Sequence, residues 1–296
     1  MIYIKLRGGL GNQMFQYAIC KSLAIKNNTK VKFDIEELER DRLRNFELGY
    51  FKVSGIIASN IEIFFFSLLC NDFISKILRL IGIRYFYIKQ KEIDINDSKQ
   101  LDINFDASVL DKKGNLYIDG YWQCEKYFID IDEVIKNDFT LKKELDETNR
   151  NLITQIRNCN STAIHVRRGD YVNNKHTNEF HGTCSLKYYL NAIKIIEKRV
   201  KNPEFFVFSD DLQWTKKNLK IKHPITFVSI NHPKKAYKDL WLMANCKFFI
   251  IANSSFSWWG AWLSTNSNKI ICAPKKWFNS TGEGHIVPKS WIRVEG

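Results

Sequence analysis

The chain has 296 residues, 45% hydrophobic and 14% aromatic, which suits two folded domains and excludes a disordered or fibrous protein. A formal net charge of +13 suits a polyanion, an anionic membrane surface or a phosphorylated substrate; the basic residues are dispersed and match no nucleic-acid-binding motif, so generic surface charge is the plain alternative. Seven scattered cysteines, odd in number and without C-x-x-C spacing, argue for reduced thiols in a cytosolic compartment and against a zinc site or disulfide scaffold.

The first 35 residues read as strand, glycine-rich loop, helix and strand. Residues 2–6 form the first strand, with no signal peptide before it, and Gly8, Gly9 and Gly11 form the loop. Residues 14–26 carry helical spacing through Phe15, Ala18, Ile19, Ser22 and Leu23; Asn27-Asn28 breaks it, and residues 30–35 complete a βαβ start. Such a loop aims backbone N–H groups at a ligand near a helix N-terminus. It is not G-x-G-x-x-G, because Met14 takes the last place, and no Walker lysine follows, so a bare tight turn explains it equally well.

Residues 36–115 are less regular. Residues 61–88 are apolar but broken by Asp72, Lys76, Arg79 and Arg84. Their charge-free core, 63–71, is too short to cross a bilayer, which takes ~20 apolar residues. A buried helix pair is expected here, with an interfacial helix built on Phe64, Phe65, Phe66, Leu68 and Leu69 as the alternative. Residues 116–120 form a strand leading into Tyr121-Trp122-Gln123.

From residue 161 onward strands and helices alternate. Strands are expected at 162–167, 204–209, 225–229, 248–252 and 269–273, with helices at 185–200, 211–219, 233–245 and 255–264. This alternation implies a parallel sheet with helices on both faces. The charge-free stretch 248–268 contains Asn253-Ser254-Ser255 and turns Trp-rich after it, so it reads as strand, polar turn and helix rather than a membrane span. The polar stretch 145–160 places the domain boundary, giving domains 1–155 and 156–296.

Four places carry residues suited to chemistry. The segment His165-Val166-Arg167-Arg168-Gly169-Asp170-Tyr171 leaves a buried strand for a glycine turn. Strand alternation puts His165 and Arg167 on one face and Val166 and Arg168 on the other. Two guanidiniums at a strand end make a fork for phosphate or carboxylate, or they pair with surface acids such as Asp170. Ser209-Asp210-Asp211 ends another strand; Asp211 as a helix N-cap is the plain reading, and a metal is rejected for want of further ligands. Asp239, beside Leu240, Trp241, Leu242 and Met243, needs a partner that a guanine edge or an Arg or Lys of this chain would supply. Asn253 to Gly260 puts small hydroxyls at a helix start, either as a phosphate cradle or as a helix cap alone.

These segments resemble one family. Gly8 to Ala18, Gly120-Tyr121-Trp122-Gln123, His165 to Tyr171, Ser209-Asp210-Asp211 and Asn253 to Leu263, in this order and across nearly the whole chain, look like the bacterial α-1,2-fucosyltransferases of glycosyltransferase family 11. The resemblance implies an α/β fold of GT-B type: two Rossmann-like domains with parallel sheets and a cleft between them. It implies GDP-β-L-fucose as donor, held mainly by the C-terminal domain. The acceptor would be a terminal β-galactose on an oligosaccharide or lipid-linked glycan, attacked through its 2-hydroxyl with inversion on the N-terminal side.

No metal or other cofactor is implied, no nucleic acid, and a peripheral contact with an anionic membrane is possible. By the same resemblance Arg167 takes the β-phosphate with His165 beside it, Asp239 holds guanine, and Ser254 and Ser255 the pyrophosphate. Gly11 and Asn12 face the transferred sugar. Arg168, Asp210, Asn253 and Phe256 complete the donor set, with Arg168 in a structural role by strand alternation, and Tyr121, Trp122 and Gln123 stand on the acceptor side.

Loss of the GDP leaving group builds negative charge that a guanidinium and backbone donors must stabilise. The acceptor hydroxyl also wants a base; Asp170, Glu179 and His181 are candidates, and a largely dissociative path with weak base help is open. The alternatives are GDP-fucose transfer to another hydroxyl, or a non-catalytic nucleotide- or polyanion-binding protein.

Overall fold

The computed structural model describes residues 1–41, 43–95, 98–101, 104–169, 182–279 and 284–296. The chain forms two units, Met1–Lys142 and Lys143–Gly296.

The first unit opens with strand β1 (Ile2–Lys5), helix α1 (Leu10–Lys26) and strand β2 (Val31–Asp34), then a short helix α2 (Glu36–Arg40) and strand β3 (Ile56–Ile57). Helices α3 (Asn60–Leu69) and α4 (Asp72–Leu80) precede strand β4 (Tyr85–Lys89). A ribbon of β5 (Glu92–Ile95) and β6 (Ser98–Leu101), strand β7 (Asn115–Asp119) and helix α5 (Asp132–Asp138) complete the unit. The main sheet is parallel throughout, in the order β3-β2-β1-β7-β4. Its central strands are apolar and buried because a parallel sheet is covered on both faces.

The second unit holds α6 (Glu147–Asn158), β8 (Asn160–Val166), α7 (Leu186–Arg199), β9 (Pro203–Ser209), α8 (Leu212–Asn218) and β10 (Ile225–Val228). It continues with α9 (Ala236–Ala244), β11 (Phe248–Ile250), α10 (Ser255–Trp262), β12 (Ile271–Pro274) and β13 (Ile292–Val294). All six strands are parallel, in the order β10-β9-β8-β11-β12-β13. The fold is therefore α/β with two parallel sheets, as expected.

Three expectations change. The division falls at 142/143 rather than 155/156, because α6 packs against β8 and α9 of the second unit. Its sequence is polar and buries only Asn149 and Ile156, which gives it the look of a linker. Helix α1 starts at Leu10, not at Met14, so Gly11 and Asn12 lie in its first turn; Gly8, at φ +72°, makes the turn before it. The helix pair at 61–88 is not buried. Phe66 points inward against Tyr3, Tyr85 and Tyr117, but Phe64, Phe65, Phe73 and Leu80 are exposed. Among the described residues no helix is long and apolar enough to cross a membrane.

Candidate functional site

In the second sheet the chain runs outward from β8 through β9 to β10, then returns to β11 on the other side and continues to β12 and β13. The strand order reverses between β8 and β11, and the crevice outside the carboxyl ends at such a reversal is where open α/β sheets bind ligands. The sequence candidates leave the carboxyl ends of β8, β11 and the adjacent β9: His165 and the arginines, Asn253 to Phe256, and the Asp210–Asp211 pair.

The two arginines part ways there. Arg167 Nη1 lies 3.1 Å from Asp210 Oδ2. Arg168 places its guanidinium carbon 3.8 Å from the ring centroid of Trp214, with Nε 3.5 Å from Asp211 Oδ2. The backbone N–H of Arg168 donates to Asp210 Oδ1 at 2.8 Å, so Asp210 holds the turn as well as Arg167. Gly169 lets it approach: a Cβ there would stand 2.9 Å from Asp210 Oδ2. Asp211 caps α8 by accepting from the Trp214 N–H at 3.0 Å, as the plain reading had it. Among the described residues, Asp210 thus faces Arg167 and Asp211 faces Arg168.

His165 is 6% exposed, and its Nδ1 is buried without a hydrogen-bond partner among the described residues. Burial, with the nearby Arg167 charge, pushes its pKa down to about 3, so the imidazole is neutral. Its ring centroid lies 5.6 Å from that of Phe256. Tyr189 of α7 donates to the His165 carbonyl at 3.1 Å, and Tyr188 to the Ile251 carbonyl at 2.5 Å, bracing the ends of β8 and β11 from one helix.

Asn253 is a brace rather than an open hand. Its amide donates to the carbonyls of Gly182 and Trp277, each at 3.2 Å, and its Oδ1 receives the Cys184 thiol at 3.5 Å. Ser254 is the N-cap of α10, yet its side chain makes no capping hydrogen bond. The first-turn N–H groups of a helix need a partner, and this hydroxyl does not provide one. Ser255 opens the helix, and Trp258, Trp259 and Trp262 pack behind it. Gly260 permits the close approach of α9, since a Cβ there would meet Met243 Sδ at 2.5 Å.

Asp239, on α9, accepts from Asn231 Nδ2 at 2.7 Å. Among the described residues no Arg or Lys pairs with it; the neighbouring Lys238 pairs with Asp146 instead. Burial raises its pKa to about 6, offset only in part by the Asn231 amide. Asn231 spends its other amide proton on Asn149 at 2.9 Å. Asp239 is thus a half-buried carboxyl held by a neutral donor.

The first unit has a reversal of its own, between β1 and β7. There the glycine turn meets the Gly-Tyr-Trp-Gln segment. Gln123 Nε2 donates to Asn12 Oδ1 at 2.7 Å, Gln16 Nε2 to the Gly120 carbonyl at 3.2 Å, and Arg7 stands 5.6 Å from the Tyr121 ring centroid. Gln13 and Gln16 are fully buried, and Gln13 donates to the carbonyls of Gly8 and Asn45. Gln90 Oε1 accepts from the backbone N–H of Tyr121 at 2.8 Å and of Trp122 at 3.2 Å. Trp122 has φ +54°, and its Nε1 is buried without a partner among the described residues. It borders a cavity of about 280 Å³ shared with Gln90, Lys91, Asp106 and Tyr127.

Sequence reasoning missed these braces. Gln13 and Gln16 stand in a motif at helical spacing and could have been found; Gln90 lies alone in irregular sequence and carried no signal. Asp170, Tyr171, Glu179 and His181, which include every candidate base, lie outside the described residues.

Each unit thus has a parallel sheet with a polar cluster at its strand reversal, the place where open α/β sheets bind ligands. The model of glycosyl transferase family 11 matches residues 1–295, and the chain belongs to that family of glycosyltransferases. It is 34% identical over 305 residues to the Escherichia coli α-1,2-colitosyltransferase, covering 100% of this chain and 99% of the relative. The Escherichia coli O-antigen biosynthesis glycosyltransferase WbnK is 32% identical over 305 residues, covering 99% and 100%. Human galactoside α-(1,2)-fucosyltransferase 1 is 27% identical over 158 residues, 50% of this chain and 43% of that protein. Among solved structures, the NodZ α-1,6-fucosyltransferase soaked with GDP-fucose aligns with TM-score 0.49 at 14% identity, over 88% of this chain and 92% of that one. POFUT1 in complex with GDP aligns with TM-score 0.49 at 11% identity, over 91% and 97%.

Proposed function

We propose that this glycosyltransferase moves L-fucose from GDP-β-L-fucose to the 2-hydroxyl of a terminal β-galactose, with inversion. The observation that carries the reading is the cluster at the second sheet's reversal. Arg167, a neutral His165 and the start of α10, where the Ser254 side chain makes no capping bond, leave adjacent strand ends, a set of donors suited to a pyrophosphate. The full-length relative named for α-1,2 transfer supports the linkage.

In this reading Arg167 leaves Asp210 for the β-phosphate and stabilises the charge that grows as the sugar–phosphate bond breaks. His165, being neutral, offers a hydrogen bond to a phosphate oxygen without needing a proton from solvent. The Ser254 hydroxyl and the first-turn N–H groups of α10 take the remaining oxygens. Asp239 accepts from the guanine N1–H and amino group, which replace solvent around a carboxyl that burial disfavours. Asn12, Tyr121, Trp122 and Gln123 serve the sugars, where the Trp122 indole presents both an apolar face and an N–H. Asp170 or His181 removes the proton of the attacking hydroxyl.

A second reading follows from the 34% relative: the donor sugar is colitose, which is fucose without its 3-hydroxyl. Incubating the enzyme separately with GDP-fucose and GDP-colitose, with lactose as acceptor, decides between them. Fucα1-2Gal, assigned by NMR from the first incubation, is the expected product. Turnover only with GDP-colitose moves the reading to that sugar, another linkage removes the regiochemistry, and no GDP release from either donor removes the function.

A further inference from the structure

Helices α3 and α4 wear their apolar faces outward. On α3, Ile61, Phe64, Phe65 and Leu68 are exposed, an i, i+3, i+4, i+7 stripe. On α4, Phe73, Ile77 and Leu80, with Ile81 at its C-cap, follow at i, i+4, i+7, i+8 and are exposed as well. Helices normally turn such a stripe toward a core. Here Phe66, with Ile63 partly buried beside it, anchors α3 on the sheet, and the side of α4 that carries Ser75 is buried instead. An apolar surface this continuous, on two neighbouring helices, marks an interaction site.

Its fringe is basic. Lys76, Arg79, Arg84 and Lys89 are all exposed along the same stretch of chain. The acid of α3, Glu62, is taken up by Lys32 and by capping its own helix. Ten- and nine-residue helices reach about 15 Å each, half the thickness of a bilayer core, so they can lie on a membrane but not cross it. A two-fold contact between copies of this chain would set the same cations against each other, whereas an anionic lipid surface answers them.

We propose that α3 and α4 form an interfacial anchor that seats the first unit on an anionic bilayer, with the phenylalanines among the acyl chains and the lysines and arginines at the headgroups. Each Lys or Arg near such a surface strengthens partitioning about fivefold, an effect that salt weakens.

Sedimentation with vesicles of phosphatidylcholine alone, or of equal parts phosphatidylcholine and phosphatidylglycerol, tests this. The wild-type chain is expected to bind the anionic vesicles well above the neutral ones, and less at high salt. Phe64→Ser/Phe65→Ser/Phe73→Ser, and separately Lys76→Glu/Arg84→Glu, should lower the partition coefficient by about tenfold or more. The melting temperature should not move, because these side chains are exposed, and turnover of a free oligosaccharide should be kept. Absence of wild-type binding overturns the proposal, as does equal binding to neutral vesicles or binding that the triple variant retains. A wild-type dimer that the triple variant dissolves, without vesicle binding, assigns the face to a second copy and overturns it too.

Discussion

Arg168 stands over Trp214, its guanidinium carbon 3.8 Å from the ring centroid, and this contact separates it from its neighbour Arg167, which turns to Asp210. Two adjacent arginines of one motif thus have different surroundings. Arg168 ties the turn after β8 to helix α8, which Asp211 caps.

Arg168→Ala is therefore expected to act through stability. A partly desolvated cation–π contact contributes about 0.5–2 kcal/mol. Thermal melts of Arg168→Ala, Trp214→Ala and the double variant should show a coupling of at least about 0.5 kcal/mol. Strictly additive losses would mean that the two residues do not support one another.

The proposed contact of Asp239 with guanine would give donor binding a pH dependence. Its carboxyl has a pKa of about 6 in the free protein, and the guanine contact needs the ionised form. GDP affinity should therefore be held above pH 6 and fall as the pH drops below it. Asp239→Ala should weaken GDP by roughly 2–5 kcal/mol, with the pH dependence gone. Calorimetry of GDP binding reads both; unchanged affinity in a folded variant removes Asp239 from the nucleotide site.

His165 sets an acid limit on the fold. It takes up a proton near pH 6.5 when unfolded but only near 3 when folded. The stability of the neutral form is complete above pH 6.5 and is lost as the pH falls toward 3, at up to about 1.4 kcal/mol per pH unit. Denaturant melts across that window should show a shallower slope for His165→Gln. Equal slopes would contradict a buried neutral imidazole.

Gly260→Ala should cost about 1–3 kcal/mol, because its Cβ would lie 2.5 Å from Met243 Sδ. Met243→Ala in the same chain should recover part of that loss in melting temperature. No recovery would place the conflict elsewhere.

Periodicity made the second unit readable. Strands β8 and β9 each run seven residues, and the apolar stripe of α7 has the spacing of a helix over fourteen. The motifs fell at strand ends for the same reason, since side chains there leave the core for the sheet's open edge. The first unit resisted where elements are short. Strand β4 has only five residues, directly after two apolar helices, and no change of period announces it. In the second unit the three-residue β13 likewise gave no pattern. The α3–α4 pair was misread because apolar spacing reports amphipathicity without saying which way the stripe faces. Which partner a motif residue chooses was equally hidden: Asn253 looked like a ligand group, but its amide is spent on the carbonyls of Gly182 and Trp277.

The most direct measurement is kcat and melting temperature for Arg167→Ala beside Arg168→Ala. Arg167 is proposed to hold the leaving phosphate, so its removal should lower kcat by about 10²–10³ with the fold intact. Arg167→Lys should recover only part, since it keeps the charge but not the two-pronged geometry. Arg168→Ala should keep most of its turnover and lose melting temperature instead. A fully active, stable Arg167→Ala, or a well-folded but inactive Arg168→Ala beside an active Arg167→Ala, would contradict the account.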